Sequence, residues 1–332
     1  MSSSARTLLL SVCIVLALSG VSACSKKNSD AASNTDAESG TVTVSGAFAL
    51  YPLMLRWSET YQKEHPSVRI DVSAGGAGKG MADVLSGLVD LGMVSRELFP
   101  QEVDKGAVAI AVAKDAVLCV ISSANPFAEL LQERGLTPEL LTNAWIEESI
   151  VDWETLLGLP TTKGSSALNP IRLYTRADSA GAAEVFAALM ANHRQQDLKG
   201  TGVFGDPGLV EAVRNDPLGV GYGNVNFVYD AATRKPVEGI IVVPLDVDGA
   251  GLSSGESFYT TRDGITGAIS EGRYPSPPAR ELYLVTRGRP QRTIVKSLLL
   301  WILTDGQALL EEAGYTTITS ERLSNQLEVL AR

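Results

Sequence analysis

Histidine and cysteine are scarce. The 332 residues hold two histidines, His65 and His193, and three cysteines, Cys13, Cys24 and Cys119. A disulfide framework needs more pairs and a zinc site needs Cys or His at short spacing, so no metal or other cofactor is expected. The same scarcity leaves little material for a Ser-His-Asp or Cys-His nucleophile, and no enzymatic activity is expected. Positive charge is also in deficit. Lys plus Arg number 28 against 38 for Asp plus Glu, a net charge of −10. A general nucleic-acid binder is usually basic, so that class is disfavoured. With 45% hydrophobic and 20% charged residues, the chain is neither disordered, collagen-like nor a coiled coil. Its length suggests about two domains with full-sized cores.

Long apolar runs are missing after the N-terminus. Arg6 precedes the run Leu8–Leu18. Eleven residues rise about 16 Å as a helix against a hydrocarbon core of about 30 Å, which fits a signal h-region better than a span. The run ends at Val21-Ser22-Ala23-Cys24, which resembles a bacterial lipobox. Residues 1–23 therefore read as a lipoprotein signal peptide, with lipid on Cys24; the alternative is an ordinary secretory signal with Cys24 merely nearby. Residues 25–40 contain no large apolar side chain, so 24–40 reads as a lipid-anchored flexible tether. Removing residues 1–23 removes Arg6 alone among the charges and gives 27 − 38 = −11. The remainder is expected to be soluble and exported, facing the periplasm or cell exterior, with the lipid as its only membrane contact. Cys119 sits in Ala116–Ile121, a buried-strand pattern, and reads as a small core residue.

Beyond the tether, strand and helix patterns alternate. Thr41–Val44 reads as a strand, Leu53, Trp57 and Tyr61 share a helical face, and Val68, Ile70 and Val72 alternate as a strand does. Met81, Val84, Leu85 and Leu88 return to helical spacing. Strand patterns recur at Ala107–Val112, Ala116–Ile121, Ile171–Thr175, Gly239–Leu245 and Leu282–Val285. Helical faces recur at Ala182–Leu189 and Ile294–Ile302. This order predicts an α/β fold with largely parallel sheets covered by helices.

Three Gly/Ser-rich turns each lie between a strand and a helix. They are Ser45–Ala49, Ala74–Gly80 and Arg176–Ala182. Helix N-termini present unpaired N–H groups and partial positive charge, so each turn can hold an anion. Glycine and serine also simply make tight turns. Together with Lys79, Arg96 and Arg176, the three turns favour an anionic ligand. The second is no P-loop, because it lacks Gly-Lys-Ser/Thr at the required spacing. Asp178 or Ser179 reads as a helix N-cap, Asp90 as a turn residue, His65 as an exposed helix end, and Trp57 and Tyr222 as core.

Gly46–Tyr61 resembles the opening of the phosphate-binding proteins of bacterial phosphate ABC transporters. Further matches come in family order: Ala74–Gly80, Leu88–Gly92 with Ser95-Arg96, Ala113–Asp115, Asn125-Pro126, Arg176–Gly181, Asp216–Tyr222, Glu271–Pro275 and Asp305–Tyr315. The resemblance implies a two-lobed type II periplasmic binding protein, each lobe a mainly parallel sheet flanked by helices. Its ligand would lie in the cleft, and hinge closure would signal to a membrane permease. The crossings are expected near Ile121–Asn125 and Pro275–Leu282. One lobe is then 41–121 plus 279–332, the other 122–278, in a monomer.

Carried over by position, the family's ligand arginine is Arg176, and N–H donors come from Ala49, Ala77, Ala180, Gly181 and Ala182. Phe48, Gly78, Lys79, Ser95, Arg96 and Ser179 complete the expected ligand set. The family's hydroxyls, however, are replaced. Phe48 and Ala49 stand where Thr or Ser is usual, Ala77 replaces a serine, and Ala180 and Ala182 replace Ser and Thr. Ser95-Arg96 leaves the acidic acceptor absent. Each buried donor lost to a phosphate oxygen costs roughly 1–3 kcal/mol. Inorganic phosphate is the first expectation. An organic phosphate, phosphonate or carboxylate whose apolar part packs on Phe48, and a non-transport sensor or structural lipoprotein, stay open beside it.

Overall fold

The computed structural model describes residues 39–161, 168–252 and 257–331. The expected signal peptide 1–23, the lipidation site Cys24 and the tether up to residue 38 lie outside the described residues. Nine strands form among the described residues: β1 (Gly40–Gly46), β2 (Val68–Ala74), β3 (Leu91–Val94), β4 (Ala107–Ser122), β5 (Arg172–Arg176), β6 (Thr201–Val203), β7 (Gly219–Asn224), β8 (Ile240–Val243) and β9 (Ala279–Arg287). Their order is β2-β1-β3-β9-β4-β7-β5-β6, with β8 also on β4.

The two lobes are two hydrophobic cores. One gathers apolar side chains from Val42 to Ala113 and from Leu282 to Leu330; the other runs from Ala116 to Ala279. β4 serves both. The patterns at Ala107–Val112 and Ala116–Ile121 are one 16-residue strand, interrupted in polarity by Lys114 and Asp115. These two pair in register with Glu281 and Arg280 of β9. The lobes thus join at 114–115 and 280–281, earlier than Ile121–Asn125, and the polar residues mark where the strand leaves one core for the next.

Parallel ladders, β2·β1·β3 and β6·β5·β7, lie away from the crossing. β9 runs antiparallel to β3 and β4, and β4 antiparallel to β7 and β8. The parallel limbs are what βα alternation predicts. The β4·β9 ladder is antiparallel because the chain returns along the strand on which it crossed.

Helix Tyr51–Glu64 starts with proline in its first turn and buries Leu53, Met54, Trp57 and Tyr61, a stripe at i, i+1, i+4 and i+8. Trp57 and Tyr222 are fully buried core residues. So is Cys119, whose thiol burial pushes up to about 12. No helix among the described residues is long and apolar enough to cross a membrane.

Candidate functional site

The three turns converge where the lobes meet. β1 ends at Gly46, whose carbonyl accepts from the N–H groups of Gly75 and Gly76 (2.9 and 3.1 Å). That fixes the second turn beside the first. Gly76 has φ +87°, and a Cβ there would lie 2.5 Å from Asp178 Oδ2, so both backbone shape and close approach demand glycine. From the other lobe, Ser179 C=O accepts from Gly78 N–H at 3.0 Å. A donor at the start of helix Ala77–Ser86 is thereby satisfied by the facing lobe.

Phe48, Ala49, Ala77, Ser95, Arg176, Ala180, Gly181 and Ala182 are brought together, and they leave no volume for a water molecule among them. Gly78 and Ser179 meet at the rim. Lys79 stands apart: half exposed, it pairs with Asp83 one turn along its own helix. Arg96 stands apart as well, held bidentately by Glu102 at 2.7 and 2.9 Å on the first lobe. Ala180 is the N-cap of helix Gly181–Leu189 and no side chain caps it, so neither Asp178 nor Ser179 is the cap. The Ala180 N–H donates to Gln195 Oε1, and the first intrahelical bond is Glu184 N–H to Ala180 C=O, which leaves Gly181, Ala182 and Ala183 as the donors without an intrahelical partner.

Arg176 is the centre of the cluster. It ends β5 with its side chain 2% exposed. Its Nε and Nη2 donate to Asp178 at 2.8 and 2.5 Å, and its Nη1 donates to Asp206 at 2.5 Å. Asp206 also accepts from Asn224 Nδ2 at 2.6 Å. Asn224 in turn accepts from Arg280, which holds Asp115 through Nε at 2.9 Å. Two arginines face three aspartates, so the chain from the loops to the lobe crossing carries 2 − 3 = −1. Burial alone would lower Arg176, but the charge of Asp206 and the bonds and charge of Asp178 raise it above its ordinary value. Burial raises Asp115 despite Arg280.

Phe48 closes the site from the first lobe. Its ring lies 5.2 Å from the Arg176 guanidinium carbon and edge-on to Phe204 and Phe227. Asp206, Asn224 and the two phenylalanines escape sequence reasoning, because no local spacing links them to Arg176. Asp206-Pro207 at the start of a helix is the one signal in sequence.

The PBP superfamily domain matches residues 31–305. The chain belongs to the PBP superfamily. The phosphate-binding protein PstS 2 of Streptococcus pneumoniae is 36% identical over 89 residues, 27% of this chain and 30% of that protein. In that comparison the chain spans less than a third of the relative's length. The phosphate-binding protein PstS of Pseudomonas aeruginosa is 24% identical over 289 residues, 83% of this chain and 82% of that one. Among solved structures, a Clostridium perfringens protein assigned as a phosphate ABC transporter substrate-binding protein, with bound phosphate, superposes with a TM-score of 0.66 at 19% identity, covering 84% of this chain and 100% of that one. An ABC-type phosphate transport receptor from Vibrio cholerae gives 0.60 at 19%, covering 83% and 100%. These likenesses establish the two-lobed PBP fold.

Two results are expected from this geometry. A Cβ on Gly181 would lie 2.4 Å from the Ser95 carbonyl of the facing lobe. Gly181→Ala should therefore hold this PBP cleft open, and small-angle scattering should show a larger radius of gyration with secondary structure unchanged. The second concerns acid. Burial would raise Glu102, but hydrogen bonds from Arg96 and Phe99 N–H and the Arg96 charge carry it below its ordinary value. Its contribution is then present above the unfolded carboxylate range and lost as pH falls through the folded value. Asp115 runs the other way, so the variant difference is the clean readout. Glu102→Gln should cost about 1–3 kcal/mol at pH 7, and the gap to wild type in urea unfolding should narrow between about pH 5 and pH 3.

Proposed function

We propose that the protein is the exported, lipid-anchored solute-binding component of an ABC importer, and that it carries phosphate in the interlobe cleft. The role is capture and delivery, not catalysis. The observation that supports it is Arg176, buried where one loop of the second lobe meets two of the first. When the lobes part, its guanidinium faces the N–H groups of Ala77, Gly181 and Ala182, and a bound anion bridges the two lobes. Signal and lipobox at residues 1–24 supply export and anchoring, and the permease reads the closed form.

A specific feature favours a second reading, an organic anion. Arg176 already carries two carboxylates, Phe48 lies over it, and with positions 48, 77, 180 and 182 lacking hydroxyls Ser95 is the one lining side chain that keeps one. Phosphate must therefore displace Phe48 and share Arg176 with Asp206. The test is thermal unfolding against phosphate, sulfate, phosphonates and small carboxylates at equal ionic strength. A ligand at a hundred times its Kd stabilises by about 2.7 kcal/mol. A phosphate-selective shift is expected. Silence toward phosphate with a response to an organic anion selects the second reading.

A further inference from the structure

A second, larger space lies between the lobes on the side of the crossing strands, a cavity of about 750 Å³. That is within the size range of small-molecule sites, about 300–1,000 Å³. Lys114, Arg280 and Glu281 of the crossing strands line it, so its floor is the lobe junction itself. Phe99 from the first lobe stacks between Arg96 of its own lobe, 3.7 Å from the ring centroid, and Arg194 of the other lobe at 4.4 Å. This contact spans the lobes, so the cavity is walled only when they close.

The cations of the wall are committed, with one exception. Arg96 is held by Glu102, Arg194 by Glu184 and Arg280 by Asp115. Glu97 and Glu281 accept from Tyr283, and Glu281 also pairs with Arg322. The backbone of Lys114 bonds to Thr316, but its ammonium has no partner among the described residues. The apolar part of the lining includes Val185 and Ala188 on one helix and Ile269 on another, with Asn192, His193 and Ser276 as further polar neighbours.

We propose that this cavity binds an amphipathic monocarboxylate, its head on the Lys114 ammonium and its apolar body between Val185, Ala188 and Ile269. One free cation matches one negative charge. A dianion would face the carboxylates of Glu97 and Glu281 without a second free cation to offset them. The site is separate from Arg176, so the inference does not depend on what the loop cluster carries.

The test is calorimetric titration of the full chain with 3-phenylpropanoate, its uncharged amide 3-phenylpropanamide, and inorganic phosphate. The carboxylate is expected to bind and the amide to bind at least roughly tenfold more weakly. Lys114→Gln should weaken the carboxylate by about tenfold, and Ala188→Trp, which fills the cavity, should abolish it. Lys114→Gln should leave the phosphate titration unchanged, and any phosphate binding should respond to Arg176→Met instead. Loss of carboxylate binding in both cavity variants supports the inference whether or not phosphate binds, so the two readings fail separately. No carboxylate binding, equal binding of acid and amide, or carboxylate binding that survives both variants overturns it.

Discussion

Arg176→Met is expected to abolish phosphate binding and to cost about 3–5 kcal/mol of stability, the usual result of removing one partner from a buried ion pair. The reason is what it leaves behind. Asp206, 1% exposed in its side chain, would keep only Asn224 Nδ2, and Asp178 would lose both guanidinium bonds. A second variant separates folding from binding. Arg176→Met with Asp206→Asn removes the more deeply buried of the two stranded charges, so urea unfolding should return part of the lost stability while binding stays absent. A single variant within about 1 kcal/mol of wild type would mean that the buried charges are not engaged as described. Phosphate binding that persists in Arg176→Met would remove this arginine from the site.

The same chain of side chains has a mechanical consequence. Asp206 holds Asn224, and Asn224 holds Arg280, whose partner Asp115 lies opposite it on the crossing strands. An anion that draws Arg176 away from Asp206 frees a carboxylate at one end of a hydrogen-bonded series whose other end is the lobe junction. Such series are the physical means by which a binding site biases a two-state hinge. Asn224→Ala is the residue change that cuts it.

How much of this is legible in sequence differs by residue. Arg176 is legible because it ends a strand pattern and precedes a Gly/Ser turn, a local arrangement. Its partner Asp206 is not, since a pairing across 30 residues leaves no periodicity. Lys79 reads toward the ligand, yet Asp83 one turn on is the ordinary i,i+4 partner, and that spacing is in the sequence. Arg96 reads the same way, and Glu102 claims it only because the chain turns back through Phe99. β4 reads as two strands because Lys114 and Asp115 break the apolar run, although the break is the lobe boundary itself. β3 and β7 carry glycine in fully buried strands, and glycine has low strand propensity. They are visible only as motifs of the resemblance, not as strands.

Returning hydroxyls to the loops should strengthen phosphate binding strongly. In Phe48→Thr/Ala77→Ser/Ala180→Ser/Ala182→Thr, each new hydroxyl can donate to an anionic oxygen, a bond worth about 1.5–3 kcal/mol when one partner is charged. Part of that gain is offset. Phe48 gives up its contact with Arg176 and with Phe204 and Phe227. Ala77, Ala180 and Ala182 are at most 2% exposed, so a hydroxyl there has no water partner while the lobes are closed without ligand. The net expectation is a gain of at least about a hundredfold in phosphate affinity, or ~2.7 kcal/mol, together with lower stability in phosphate-free buffer. Calorimetric titration at fixed ionic strength, with sulfate as the comparison, reads the first, and thermal unfolding without anion reads the second. The opposed signs are the diagnostic, because a change that merely repacked the loops would move both the same way. Lower stability with no gain in affinity would mean that the anion's oxygens do not reach positions 48, 77, 180 and 182, and the convergence of the three turns would then be a lobe contact and not a cradle.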